Sequence, residues 1–292
     1  MNEIMPLLEV TLAPMIFVFT VMNLFYMGLQ VRIDRLIAGL KYKKAIALII
    51  VWSWVAGPAL AYLITRVLPL DEPYVIGLLL SSLAPVTPFL PLTVEKARGD
   101  MNFAGALVPV VMVGTVIFMP LMGPLMIKGV TVSAWSLAKP LLLSVFVPLV
   151  IGMAILHFAE SAARKVLPAV KVIAKITTVS VAVWCVVVYA RPMIETAGSL
   201  ALLSVMLFMV AIGLISYLFG FGLKQSQRSV ISLAMITRNG GPVLISALAI
   251  PNADSRILTL VILLNLGGFA LAPIAAIILG KQAGKTVAGN AI

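Results

Sequence analysis

Two long apolar stretches of this chain are broken at mid-length, and they occupy matching places in its two halves. The first covers 74–97 and is interrupted by Ala84-Pro85-Val86-Thr87-Pro88-Phe89-Leu90-Pro91. The second covers 229–250 and is interrupted by Thr237-Arg238-Asn239-Gly240-Gly241-Pro242. A backbone that leaves the helix inside a bilayer exposes amide and carbonyl groups that lipid cannot satisfy, so such breaks persist only against protein or a water-lined cavity. In secondary transporters they build the substrate site near the membrane midplane.

Composition places the chain in a membrane. Hydrophobic residues make up 62% and charged residues 11%, against about 25% charged in soluble domains. Spans of membrane length recur from end to end. The reading is nine transmembrane helices, at 7–30, 45–65, 74–97, 102–127, 134–157, 167–190, 198–222, 229–250 and 257–280, in one transporter unit over 1–292. Met1-Asn2-Glu3 lacks the basic start of a signal peptide. The one cysteine, Cys185, lies inside a span and excludes an intramolecular disulfide framework.

The net charge of +11 is distributed by side rather than gathered into a nucleic-acid surface. One set of loops and span ends carries Arg32 to Lys44, Lys96 and Arg98, Arg164 to Lys175, Lys224 and Arg228, and Lys281 and Lys285. The other carries only Arg66, Lys128, Lys139, Arg191 and Arg256, beside Asp71, Glu72, Glu195 and Asp254. The positive-inside rule then puts the N-terminus outside and the C-terminus in the cytoplasm, in a plasma or inner membrane.

Nine spans divide into a first repeat over 7–127, a linking helix over 134–157 and a second repeat over 167–280. The third span of each repeat is a broken one, and the linking helix inverts the second repeat, as in inverted-repeat transporters. Chance is the competing explanation, because glycine and proline are common in membrane helices.

Arg238 is the one basic residue expected inside a span. A charge at mid-membrane costs about 2.5–3.5 kcal/mol on insertion scales and faces a cavity or a partner. Three roles are open: binding an anionic substrate or replacing a bound cation, an internal ion pair with Glu95, which follows the first break by four residues, or snorkelling to the cytoplasmic face if the break lies off-centre. Asn239, Gly240 and Gly241 offer an amide and close backbone approach, and Pro242 suits the first turn of a half-helix, whose N-terminus favours an anion. Thr87 and Pro88 belong to the facing break. Ser53, Ser81, Ser82 and Asn265 are candidate polar groups of a cavity, with a helix–helix hydrogen bond as the other reading of Asn265. His157 reads as an interfacial residue. No cluster has metal-ligand spacing and no catalytic set is visible, so no metal, cofactor or enzymatic activity is expected.

From Ala84-Pro85 through Ala97-Arg98-Gly99-Asp100, and again at Arg238-Asn239-Gly240, the chain resembles the bile acid:sodium symporter family. Phe25-Tyr26-Met27-Gly28-Leu29, Gly57-Pro58-Ala59-Leu60-Ala61-Tyr62-Leu63 and Tyr217-Leu218-Phe219-Gly220-Phe221 resemble further family segments in the same order. The resemblance implies an all-α fold with two broken, crossing helices in a core domain that moves against a panel. It also implies alternating-access transport of an organic anion, coupled to sodium in many members. The positions matching the family's sodium ligands are Leu90-Pro91, Ala104, Val108, Ser53, Ala234 and Arg238, and nearly every oxygen ligand is missing. The family's asparagine at the second break matches Asn239, while its threonine at the first matches Pro88, next to Thr87. The partners expected are a small organic anion and the lipid bilayer, with sodium coupling doubtful and Arg238 standing in for the ion. The alternatives are a sodium symporter with an unrecognised ion site, a passive pore, or a non-transporting sensor of the same fold.

Overall fold

Helices form wherever the apolar runs reach membrane length, and they stop or widen at proline. The computed structural model describes residues 4–34, 37, 43–87, 89–126, 133–196 and 198–289. Among the described residues, eleven helices carry the architecture: α1 (Ile4–Gly28), α2 (Lys43–Val67), α3 (Glu72–Ser82), α4 (Leu90–Lys96), α5 (Met101–Met126), α6 (Ala134–Phe158), α7 (Glu160–Thr196), α8 (Leu200–Leu218), α9 (Gln225–Ile236), α10 (Gly240–Leu248) and α11 (Ser255–Gly289). Seven of these, α1, α2, α5, α6, α7, α8 and α11, are long and apolar enough to cross a membrane. The chain is therefore an all-helical, polytopic membrane protein. The two remaining expected spans are the broken ones, each present as two short helices: α3 with α4, and α9 with α10.

Two spans read as plain helices each contain a π-helical turn, Trp52–Ala56 in α2 and Leu142–Phe146 in α6. Proline explains both. Pro58 and Pro148 have no N–H to donate four residues back, and a helix interior that keeps the missing bond is strained. The backbone widens instead, and the preceding residue donates five back, Gly57 N to Trp52 O and Val147 N to Leu142 O. The widening at α2 turns Trp54 inward. Its indole donates to Leu83 O at 3.1 Å and stacks on Phe118 at 4.6 Å, so it caps the end of α3.

The 37 residues of α7 span about 55 Å at 1.5 Å per residue, well beyond the ~30 Å hydrocarbon layer. The expected span 167–190 is the middle of this helix, whose first turns carry Arg164, Lys165, Lys171 and Lys175.

The helices pack in two groups. In one, α1, α6 and α7 pack on one another, and α1 meets α6 closely. A Cβ at Gly28 would lie 2.3 Å from Leu149 O, and one at Gly152 would lie 2.7 Å from Phe25 O. Two glycines thus let two helix backbones touch, the small-residue packing that holds membrane helices together. In the other group, α2, α3, α4, α5, α8, α9, α10 and α11 surround the two breaks. The groups meet where α10 lies on α1 and α6, where α5 lies on α6, and where α7 lies on α11. At one end of the second group, Arg256 ties α3 to α11 through Asp71 (2.8 Å) and Asp254 (2.8 Å). The hydrogen bonds from Arg256 hold the Asp254 carboxyl below its ordinary range.

Candidate functional site

The two breaks satisfy each other. Pro85 and Arg238 form an isolated antiparallel bridge. Asn239 N donates to Ala84 O at 2.9 Å, and Val86 N donates to Ala234 O and Thr237 O, each at 3.2 Å. Thr87 N reaches Thr237 Oγ1 at 3.4 Å. Backbone groups freed by leaving the helix therefore find partners in the opposite break, as burial in an apolar medium requires. Val86 supports this at a cost, because its φ of 69° is an outlier for a β-branched residue. Backbone strain of this kind persists where surrounding structure over-determines it, often at functional sites.

Arg238 is 3% exposed, and its guanidinium has an unusual set of partners. Nη2 donates to Met235 O at 2.7 Å and Nη1 to Ser82 O at 3.4 Å, while Cζ sits 4.7 Å over the Phe208 ring. Met235 lies in the last turn of α9, and Ser82 ends α3. The guanidinium thus joins the carbonyl ends of the two half-helices that enter the breaks. Glu95, the acid expected to pair with it, is exposed on α4, and no ion pair between the two forms. The neutralising charge is not an acid. Each helix C-terminus carries about −0.5 of an elementary charge, so two of them together match one guanidinium.

Beside the joined breaks lies a cavity of ≈ 70 Å³ between the two helix groups. Its wall takes Thr20 and Asn23 from α1, Thr178 and Cys185 from α7, and Asn265 and Phe269 from α11. Thr87, the run from Arg238 to Gly241 and the start of α10 close it. None of the three partners of the guanidinium belongs to this wall. Arg238, expected to meet a substrate, itself lines the cavity, with its two terminal nitrogens held by carbonyls and its buried Nε without a partner among the described residues.

At the start of α10, Gly240 and Gly241 make room for neighbours rather than for a turn. A Cβ at Gly240 would lie 2.6 Å from Asn265 Oδ1, and one at Gly241 would lie 2.7 Å from Thr20 Oγ1. Asn265 Nδ2 donates to Val261 O at 2.8 Å, which turns its Oδ1 toward Gly240. The Asn239 side chain makes a long contact from Nδ2 to Met112 Sδ at 3.9 Å. Across the cavity, Asn23 Nδ2 donates to Thr178 Oγ1 at 3.0 Å.

Of the expected site residues, Thr87, Arg238, Asn239, Gly240, Gly241 and Asn265 come together at the cavity. Pro88 lies outside the described residues. Ser53, Ser81 and Ser82 are buried but do not line the cavity. Ser82 Oγ donates to Leu79 O in its own helix, and Ser53 Oγ and Ser81 Oγ have no protein partner. Sequence reasoning missed Thr20, Asn23 and Thr178. Their signal was present, since Thr20 and Asn23 stand three residues apart on one face of an otherwise apolar helix.

A family profile for the Sodium Bile acid symporter family matches residues 15–196, more than half of the chain. No curated protein matches the chain at a significant level.

Proposed function

Because the chain belongs to the Sodium Bile acid symporter family, we propose that it is a secondary transporter that carries an organic anion across the membrane by alternating access. The observation that carries this reading is the start of α10, where Gly240 and Gly241 present a half-helix N-terminus to a cavity walled by both helix groups. Half-helix N-termini favour anionic groups through free amides and the positive end of the helix dipole. Asn239, Asn265 and Thr87 add neutral polar groups beside it, which suits a carboxylate or sulfonate without adding a second charge.

The cavity is far smaller than the roughly 300–1,000 Å³ that holds a drug-sized ligand. A substrate of that size enters when α1 and α7 separate from α10 and α11, the movement of panel against core that alternating access requires. Seven continuous spans and two broken ones make nine crossings, arranged as the inverted repeats 7–127 and 167–280 about the linking helix 134–157. The distribution of basic residues puts the N-terminus outside and the C-terminus in the cytoplasm.

The test is uptake of labelled organic anions into proteoliposomes, with sodium or choline as the external cation. Saturable uptake that unlabelled anion competes away supports the reading. Flux linear in concentration would make the protein a pore, and no flux with retained anion binding would make it a sensor.

A further inference from the structure

The family's name implies a sodium ion, and the residues of this chain do not fit one. Sodium in such transporters is held by unwound carbonyls and by the C-terminal ends of half-helices. Here those groups have an occupant that belongs to the chain. Ser82 O at the end of α3 and Met235 O near the end of α9 both accept from Arg238. Neighbouring carbonyls are taken as well: Leu83 O accepts from Trp54 Nε1, and Ala234 O accepts from Val86 N. No acidic residue stands anywhere in α9, α10 or the break between them. A cation placed among these carbonyls would meet a fixed guanidinium and displace its hydrogen bonds.

The geometry points to Arg238 as a tethered cation: its guanidinium fills the monovalent-cation position at the joined C-terminal ends of α3 and α9, and the protein binds and moves its anion without sodium. This rests on the transport reading for its consequence, but the cation position is defined by the hydrogen bonds alone. The charge balance is local. Two helix ends of about −0.5 each face one positive group, and the Phe208 ring 4.7 Å from Cζ offers its negative face to the same group. A dissociable ion would have to bind before the breaks could close on each other. A tethered one is present in every state, so it assembles the site but cannot link anion movement to a sodium gradient.

Thermal unfolding of the purified protein tests the assignment without a known substrate. Wild type should melt at the same temperature in sodium chloride and choline chloride. Arg238→Ala should melt lower by at least about 2–4 °C, and millimolar guanidinium should restore part of that loss saturably, while tetramethylammonium should not. If Arg238→Ala does not fold, Arg238→Gln, which keeps amide donors for the carbonyls, takes its place in the same comparison. A saturable, sodium-specific rise in wild type would overturn the proposal, as would a variant whose response to guanidinium matches wild type. The transport reading fails separately. A protein that passes the thermal test yet moves no anion keeps its tethered cation, whereas sodium-dependent flux keeps the transporter and removes the tether.

Discussion

Alanine at position 241 should force the two helix groups apart at the cavity. Gly241 is the second residue of α10, and its added Cβ would lie 2.7 Å from Thr20 Oγ1, 2.8 Å from Thr20 Cγ2 and 3.2 Å from Thr20 Cβ. Ordinary contact begins several tenths of an ångström further out. Thr20 cannot swing aside freely, because it is fully buried and its Oγ1 donates to Ile16 O at 2.7 Å. Inserting a methyl group into such packing costs about 1–3 kcal/mol. Alanine regains up to about 1 kcal/mol of helix propensity, less at a helix start, so the clash is the larger effect. The expected result for Gly241→Ala is a melting temperature lower by about 2–6 °C, taking 2–4 °C per kcal/mol. The decisive comparison is the double variant Thr20→Ala, Gly241→Ala. Thr20→Ala removes the two nearest atoms, so the pair should be less damaging than the sum, with a coupling of about 1 kcal/mol or more. The clash exists only while α1 lies on α10. In the proposed alternating-access cycle it would therefore disfavour this conformation against one in which they separate, by about 5–150-fold for 1–3 kcal/mol. An unchanged melting temperature, or strictly additive effects of the two substitutions, would refute this account of the contact.

Three further outcomes follow from the same geometry. Asn265→Ala should weaken anion binding about tenfold, the worth of one hydrogen bond of about 1–1.5 kcal/mol, and unchanged affinity in a binding titration would remove Asn265 from the site. Cys185 is buried on the cavity wall and is the only cysteine, so a membrane-permeant maleimide should label it slowly, and bound anion should change that rate; Cys185→Ala should show no labelling. Asp254 has a carboxyl held below its ordinary 3.8, so its stabilising contribution is present above that value and is lost as pH falls through the lower folded value. Wild type should therefore show a small acid-dependent loss in melting temperature that Asp254→Asn lacks, and identical pH profiles would show that the pair contributes nothing.

The breaks were legible in sequence because proline, glycine and asparagine punctuate apolar runs wherever they fall, and both are where they were expected. Their mutual pairing was not, since it depends on two segments about 150 residues apart lying antiparallel. The role of Arg238 shows the same limit. Reading charges along a chain counts side chains, and it sent the search to Glu95. The balancing charge belongs to the ends of α3 and α9, and those ends exist only once the helices have stopped. The π turns were readable in principle from Pro58 and Pro148 inside otherwise uninterrupted spans. A run of apolar residues, however, gives the same periodicity whether the helix closes four or five residues back. Thr20, Asn23 and Thr178 became site residues only when packing brought α1 and α7 to the cavity.

The two breaks are alike in sequence position but unequal in electrostatics. At the first, the backbone folds into turns as it enters α4: Leu90 N donates to Thr87 O and Leu92 N to Phe89 O. The helix that follows has only seven residues, too short to carry much of a dipole. At the second, the chain leaves the bridge at Asn239 and enters α10 through two glycines that border the cavity. Positive helix-end potential is therefore presented to the cavity mainly by α10. The negative ends of α3 and α9 meet Arg238, whose partners lie outside that wall. In the proposed reading, this arrangement lets a tethered cation and an exchangeable anion share one pair of breaks. On that reading, the carbonyls that hold Nη1 and Nη2 keep the guanidinium at the breaks even though Arg238 borders the cavity, and the anion depends mainly on the reversible hold of α10.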